Sequence, residues 1–211
     1  MTSMESLIKR WIDEGIIKEE NVAEAFRKAD RKYFVPEEYQ EDAYGDRPLH
    51  IGKNQTISQP TTVAIMTQAL EPKPGQKILE IGSGSGWQSA VLSFIVGKKG
   101  KVITIEYIKE LAEFARKNLR KLNIKNVLVI HGDGSKGYKK ESPFDKIILT
   151  SAAPDFPKPL IEQLKDNGII LGPLGSRFEQ EMVKARKVKG RLIRENLGGF
   201  IFVRLKGKYG F

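Results

Sequence analysis

The chain has 211 residues, no cysteine and a formal net charge of +10, from 36 Lys or Arg against 26 Asp or Glu. That length suits one α/β domain, and the missing cysteines exclude disulfides, cysteine-ligated zinc and a cysteine nucleophile and fit a reducing cytoplasm. The apolar runs are too short to cross a bilayer, and charges within the apolar pattern of the first residues exclude a secretory leader, so we expect a cytoplasmic domain with no membrane partner and no metal.

Residues 4–29 carry apolar side chains at helical spacing, which predicts helices with a break at Glu14–Gly15. The apolar positions are Leu7, Ile8, Trp11, Ile12, Val22, Ala25 and Phe26. Residues 30–59 have no regular period and are rich in Pro, Gly, Tyr and Asp. A loop of that length in a compact chain is functional or disordered, and the aromatic content of this one argues against disorder. We expect it to cover a substrate.

From residue 60 onward the pattern alternates between helix and strand. A helix begins near Pro60, a residue suited to a first helical turn, and another is predicted over 108–121. Strand-like runs occur at 77–81, 101–106, 126–131, 144–149 and 168–172. This alternation predicts an α/β fold with a doubly wound, mostly parallel, Rossmann-like sheet and helices on both faces.

The last part of the chain changes in character. Runs at 180–188, 191–195 and 199–205 predict antiparallel strands joined by a turn at "KG" and another at "NLGG". Residues 171–211 hold ten Lys or Arg against three Asp or Glu, a net charge of +7. This charge favours a solvated surface over a nucleic-acid footprint, because few aromatic residues lie between the basic ones.

The stretch "ILEIGSGSGW", residues 78–87, ends a predicted strand in glycines. A dinucleotide fingerprint would need a third glycine at residue 87, which is tryptophan. The glycines at 82, 84 and 86, preceded by Glu80, instead resemble the first motif of Rossmann-like S-adenosylmethionine methyltransferases, and a purely structural glycine turn is the alternative. The resemblance implies that Glu80, Gly82, Ser83, Gly84 and Gly86 bind this cofactor, whose product is S-adenosylhomocysteine.

Two more predicted strands end in acidic residues. Glu106 follows Gly82 by 24 residues, and a carboxylate there can accept both ribose hydroxyls; a surface glutamate beginning the next helix is the alternative. Tyr107 is assigned to the same site. Asp133 in "HGDG" can accept from an adenine amino group and Gly134 permits close approach, with a simple turn as the alternative. Within a single domain of residues 1–211 we therefore expect N-terminal helices and a substrate-covering loop (1–59), a cofactor-binding core (60–175) and C-terminal antiparallel strands (176–211).

Longer segments are similar to the protein-L-isoaspartate (D-aspartate) O-methyltransferase family, in order over roughly residues 5–205. They are "DRKYFVPEEYQEDAYGDRPLHIG" at 30–52, "IGKNQTISQP" at 51–60, "GDGSKGYKKESPFDKI" at 132–147 and "LTSAAPDFPKPLIEQLKDNGIILGPLG" at 149–175. The chain departs from the family where Val-Arg-Leu-Lys at 203–206 replaces a common Val-Pro-Leu-Thr. It also departs at Thr61–Thr62, where many members of the family have His and Met.

The resemblance implies methyl transfer to the free carboxylate of L-isoaspartyl, and by its name D-aspartyl, residues in damaged proteins and peptides, with repair through a succinimide. A carboxylate is ionised at neutral pH, so no base is needed. His50 stays undecided, and His131, at the end of an apolar strand, favours a packed role.

The resemblance also implies that Ser58 lies near this carboxylate as the catalytic residue, with helix capping as the alternative. Ile57, Gln59 and Pro60 are assigned to substrate binding. So are Ala152 and Ala153, whose backbone amides are expected to be donors.

Three other functions compete with this interpretation. A nucleic-acid methyltransferase is encouraged by the basic C-terminal segment, but the chain has neither a cysteine nucleophile nor an Asn/Asp-Pro-Pro-aromatic motif after the fourth strand. A small-molecule methyltransferase would differ only in residues 30–58. A non-enzymatic basic binding module leaves the ordered cofactor motifs unexplained. Homo-oligomerisation stays open.

Overall fold

A computed structural model describes residues 3–211, and within that range the chain forms six α-helices and nine β-strands. The helices are α1 (Met4–Asp13), α2 (Glu20–Lys28), α3 (Pro60–Leu70), α4 (Trp87–Val96), α5 (Lys109–Lys121) and α6 (Lys158–Gln163). The strands are β1 (Leu49–Gly52), β2 (Gln55–Ile57), β3 (Lys77–Ile81), β4 (Lys101–Glu106), β5 (Val127–His131), β6 (Phe144–Leu149), β7 (Leu164–Gly175), β8 (Gln180–Val188) and β9 (Arg191–Phe200). None of the helices in residues 3–211 is long and apolar enough to cross a bilayer.

Seven strands form one sheet in the order β5-β4-β3-β6-β7-β8-β9. The pairs from β5 to β7 are parallel, and β8 and β9 continue the sheet antiparallel. The chain moves outward from β3 through β4 to β5 and then returns to β6 on the other side of β3. This reversal opens a crevice at the carboxyl ends of β3 and β6, where doubly wound sheets bind ligands. The predicted fold class is confirmed.

The N-terminal helices attach to the sheet through aromatic packing. Trp11 of α1 and Phe26 of α2 meet edge to face with ring centroids 5.1 Å apart, and Phe26 meets Trp87 of α4 at 5.8 Å. All three side chains are buried. Edge-to-face pairs are favourable for aromatic rings, and Trp87 Nε1 also donates to Ala29 O at 2.7 Å, so the end of α2 is joined to α4.

Two expectations about elements are wrong. Residues 30–59 are not irregular throughout, because they contain two 3₁₀ turns and the β1–β2 hairpin. The sequence "NLGG" is not a turn: β9 runs through it to Phe200, and the strand register against β8 shifts there by a bulge. A glycine pair suits a bulge as well as a turn, so local sequence does not separate them. Beyond Phe200 the chain leaves the sheet, and Arg204 forms an isolated parallel bridge with Ala152.

Candidate active site

A cavity lies at the carboxyl ends of β3, β4 and β6, under the β1–β2 hairpin. Nine of the predicted site residues line it: Ile57, Ser58, Glu80, Gly82, Ser83, Gly84, Glu106, Tyr107 and Gly134. The lining also includes Thr56, Trp87, Gln88, Thr150, Ser151 and the C-terminal segment 203–206. Gly86, Asp133, Gln59, Pro60, Ala152 and Ala153 do not line it.

The glycines of the motif have different surroundings. Gly82 has φ +97°, and a Cβ there would lie 2.5 Å from Thr150 Oγ1, so only glycine fits against the neighbouring strand end. Gly84 donates its N–H to Glu106 Oε2 at 2.9 Å. Gly86 is the residue before α4 and packs on Ala115 of α5, which makes its position structural. Its cofactor contact stays a prediction.

Glu80 is a buried carboxyl at the floor of the cavity. Ser89 Oγ donates to Oε2, whereas Oε1 has no hydrogen-bond partner within residues 3–211. Burial, reinforced by the nearby Glu106 carboxylate, raises the pKa of Glu80 to about 8 despite the hydroxyls of Ser89 and Thr104. A buried acceptor without a partner is costly, and this one lines a cavity. It fits a ligand that brings an N–H donor or a cationic amino group.

Glu106 lies at the end of β4 with its carboxylate fixed by backbone. Oε2 accepts from Gly84 N at 2.9 Å, and Oε1 accepts from Ile108 N at 3.0 Å. The side chain therefore also serves the start of α5, as the alternative interpretation expected. Each carboxylate oxygen accepts more than one hydrogen bond, so both oxygens retain capacity for a diol. The ribose role stays a prediction, consistent with this placement.

Asp133 is turned toward the end of the chain. Its Oδ1 accepts from Ser135 N and Oγ, and its Oδ2 accepts from Lys208 N at 3.0 Å with Lys136 Nζ at 3.5 Å. Burial opposes ionisation, but the hydrogen bonds from Ser135 and Lys208 outweigh it and lower the pKa of Asp133. The carboxylate thus begins a 3₁₀ turn and holds the C-terminal segment. Its contact with an adenine amino group stays a prediction.

Ser58 lies between β2 and α3, half-buried, and lines the cavity. The residue preceding α3 is Gln59, which makes no side-chain cap. The Ser58 hydroxyl has no hydrogen-bond partner in the described part of the chain, so the helix-capping alternative is not seen. The backbone carbonyl of Ser58 does have a partner, accepting from Arg31 Nη2 at 3.0 Å.

Arg31, which the sequence analysis did not single out, contacts the covering loop and Ser58. Its guanidinium is fully buried 5.4 Å from the centre of the Trp87 ring, and burial lowers its pKa to about 10. It donates to four backbone carbonyls, those of Ala43, Gly45, Arg47 and Ser58, at 2.8 to 3.2 Å. It therefore ties three carbonyls of the covering loop, those of residues 43, 45 and 47, to the residue expected to contact the substrate. The only signal in the sequence was an arginine inside the family-like segment 30–52.

Thr61, one of the two departures from the family pattern, also holds this loop. Thr61 N donates to Asp46 Oδ1 at 2.9 Å, and its hydroxyl donates to Oδ2 at 2.7 Å. Arg10 of α1 pairs with the same carboxylate at 2.7 Å. The pKa of Asp46 is lowered because these partners outweigh the effect of burial. Residue 61 thus joins the loop, α1 and the start of α3, rather than facing the cavity.

A second, wider cavity, which we call the groove, opens beside the first. Four residues line both: Thr56, Ser58, Thr150 and Val203. The groove continues between Pro48, Gln59 and Thr62 on one side and residues 174–176, 178–181 and 199–203 on the other. Ser58 is therefore at the junction of the cavity and the groove.

Three expectations about site residues need correction or stay open. The amides of Ala152 and Ala153 are not free donors. Ala152 N donates to the carbonyl of Val203 in the C-terminal segment, and Ala153 N donates to the carbonyl of Pro173 in β7. His131 is exposed rather than packed, since β5 is an edge strand. Pro60 is the buried first residue of α3, and its substrate role stays a prediction. Residues 3–211 contain no cluster of three metal-ligating side chains.

Comparisons with known proteins agree with this geometry. A family model described as protein-L-isoaspartate(D-aspartate) O-methyltransferase matches residues 2–210. A protein-L-isoaspartate O-methyltransferase 2 from Archaeoglobus fulgidus is 53% identical over 190 residues, 90% of this chain and 87% of the relative. A protein-L-isoaspartate O-methyltransferase from Methanopyrus kandleri is 48% identical over 209 residues, 98% and 92% of the two chains.

A solved structure is similar over the whole fold. It is the Plasmodium falciparum protein described as a protein-L-isoaspartate O-methyltransferase, in complex with S-adenosyl-L-homocysteine. The TM-score is 0.87 at 27% sequence identity, and the match covers 98% of this chain and 99% of that one.

Proposed function

Because the chain belongs to the protein-L-isoaspartate(D-aspartate) O-methyltransferase family, we propose which of its residues bind the cofactor and which orient the substrate in that family's reaction. The reaction is S-adenosylmethionine-dependent methylation of isoaspartyl residues in proteins, and this chain is an enzyme of that activity. When bound, S-adenosylmethionine supplies a methyl group carried on a positively charged sulfur. The alternatives acting on RNA or on a small molecule are not favoured.

The cofactor end of the site is assigned to the ends of β3 and β4. Gly82 and Gly84 leave the backbone on either side of Ser83 without side chains, and Glu80 offers a buried acceptor without a partner in the described residues. That acceptor fits the amino group of the cofactor's amino acid. Glu106, held by two backbone amides, fits the ribose diol, and Tyr107 and Gly134 complete the wall.

The acceptor end is assigned to Ser58. An isoaspartyl carboxylate is already ionised at neutral pH, so the protein needs to orient it rather than remove a proton. The Ser58 hydroxyl donates to one carboxylate oxygen, and the other oxygen attacks the methyl carbon. An oxygen–carbon bond forms, the carbon–sulfur bond breaks with its electron pair left on sulfur, and two opposite charges cancel. The ester then loses methanol to give a succinimide without help from the protein.

One observation carries this assignment. Ser58 lies where the cavity meets the groove, its hydroxyl has no other partner in the described residues, and its backbone carbonyl accepts from Arg31. Orientation of this kind is effective because holding reactants in line lowers the barrier of a two-reactant step.

The test uses labelled S-adenosylmethionine and two peptides that differ only in Asp or isoAsp. We expect label in the isoAsp peptide alone. Ser58→Ala should lower kcat by about 10- to 150-fold, the loss of one hydrogen bond to a charged group, with little change in cofactor affinity, and Ser58→Thr should restore part of the rate. Glu106→Ala should instead weaken cofactor binding in calorimetry. Equal labelling of both peptides would defeat the function, and matched losses of turnover and affinity in Ser58→Ala would defeat the role of Ser58.

We also propose that the chain acts as one domain in the cytoplasm on protein rather than nucleic-acid substrates. The missing cysteines support a reducing compartment. Several cations of the basic C-terminal segment are engaged within the chain, since Lys184 and Arg186 pair with Glu71 and Arg194 pairs with Asp155. Tight, salt-dependent RNA binding would contradict this, and sedimentation velocity measures the oligomeric state, which the proposal leaves open.

A further inference from the structure

Two large apolar side chains on the rim of the groove are almost fully exposed. Phe178, in the loop between β7 and β8, is 78% exposed, and Ile201, just beyond β9, is 87% exposed. Neither packs in a buried hydrophobic cluster of the described residues. Single exposed apolar residues are ordinary, but these two line the same groove.

The side chain of Gln180 connects the two backbone segments that form this rim. Gln180 is buried, its Nε2 donates to Ser176 O at 2.9 Å, and its Oε1 accepts from Phe202 N at 3.0 Å. It thereby joins the loop that carries Phe178 to the segment that carries Ile201. Ser176 Oγ further accepts from Phe178 N at 3.2 Å and Glu179 N at 3.0 Å, which fixes the loop. The backbone segments that carry the two apolar side chains are thus joined by hydrogen bonds.

The occupant of the groove follows from its continuity with the active site. The groove shares Ser58, Thr56, Thr150 and Val203 with the cofactor cavity, so a polypeptide whose carboxylate reaches Ser58 leaves along the groove. Its walls away from Ser58 carry both polar and apolar side chains, and the apolar ones include Leu174, Phe200 and Phe202 beside the two rim residues. An apolar side chain next to the damaged residue gains contact area there that a polar one does not.

We propose that Phe178 and Ile201 are specificity-determining residues that favour isoaspartyl polypeptides with a bulky apolar side chain near the damaged residue. The inference rests on the proposed function and adds a preference to it. Burial of one such side chain predicts a KM about 10-fold lower than for a serine-containing peptide.

The test compares pairs of isoaspartyl peptides that differ only in Leu or Ser at one position. Three positions before the isoaspartyl residue and three positions after it are tested in turn. The enzymes are the wild type, Phe178→Ser, Ile201→Ser and the control Ile193→Ser. Ile193 is a matched control because it is 63% exposed on β9 but does not line the groove. We expect the wild type and the control to favour Leu at one position or more through KM, and both rim variants to lose that ratio.

Other outcomes separate this proposal from the function itself. If no isoaspartyl peptide is methylated, the proposed function fails. If all are methylated without a Leu preference, or if both rim variants keep it, the function stands and the rim proposal is overturned. If Phe178→Ser converts a dimer to a monomer in sedimentation velocity, a second copy of the chain covers the groove, which also overturns it.

Discussion

Arg31 gives the sharpest test of how the covering loop is held. Its guanidinium donates to the carbonyls of Ala43, Gly45, Arg47 and Ser58, and it has no ion pair with a carboxylate in the described residues. In Arg31→Met these carbonyls lose their donor. Each lost partner costs about 1–3 kcal/mol when the acceptor stays buried, whereas removing a buried charge returns several kcal/mol. We expect a net loss of about 2–4 kcal/mol in the free energy of unfolding.

The catalytic effect should exceed that of a general loss of stability. Without Arg31 the carbonyl of Ser58 is no longer fixed, so we expect kcat to fall by about 10- to 100-fold at temperatures where the variant stays folded. Arg31→Lys should not rescue it, because one ammonium cannot span four carbonyls in the guanidinium geometry. Millimolar guanidinium, far below denaturing concentrations, should restore part of the rate of Arg31→Met.

The assays are urea unfolding and steady-state kinetics with an isoaspartyl peptide. Arg47→Met is the matched control, since its side chain is exposed and pairs only with Asp42, an ion pair worth about 0–1 kcal/mol. The reasoning is refuted if Arg31→Met unfolds at the wild-type urea concentration and keeps its kcat, or if the control loses as much as Arg31→Met does.

Two more predictions concern the cofactor. Glu80, with a pKa of about 8, holds its proton at neutral pH in the free protein. A bound cationic amino group favours the ionised carboxylate, so cofactor binding should release close to one proton below pH 8 and none well above pH 8. The affinity for the cofactor should therefore rise with pH up to about pH 8. Calorimetry of S-adenosylhomocysteine in buffers of different ionisation enthalpy measures the release, and an equal release from Glu80→Gln would contradict the assignment. Lys208 holds the C-terminal segment over the cavity through the hydrogen bond from its backbone N–H to Asp133. Lys208→Pro, which lacks this N–H, should weaken S-adenosylhomocysteine binding by about 10-fold, whereas Lys208→Ala should bind like the wild type. Similar dissociation constants for the two variants would show that this bond does not retain the cofactor.

Sequence reasoning reached the parts of the site that depend on local order. Gly82 and Glu106 end apolar strands, and in a parallel sheet such ends meet at one edge, so their proximity was predictable. The contacts of Arg31 were not, because a side chain that binds backbone carbonyls 12 to 27 residues away leaves no trace in the residues it binds. The bond from Lys208 to Asp133 spans 75 residues and uses a backbone N–H, so residue identity carries no signal of it.

The groove beside Ser58 lies between the loop that carries Phe178 and the segment after β9, and two of its lining residues, Phe178 and Ile201, are largely exposed. A protein substrate that binds along this groove must therefore present its damaged residue in a short, flexible stretch of backbone. Damage within a rigid helix becomes accessible only when that helix opens locally, and local opening has its own free energy in every fold. If substrates bind along the groove, we expect the rate of methylation to depend on the local flexibility of the damaged segment as well as on its chemistry, so that well-ordered proteins are repaired most slowly.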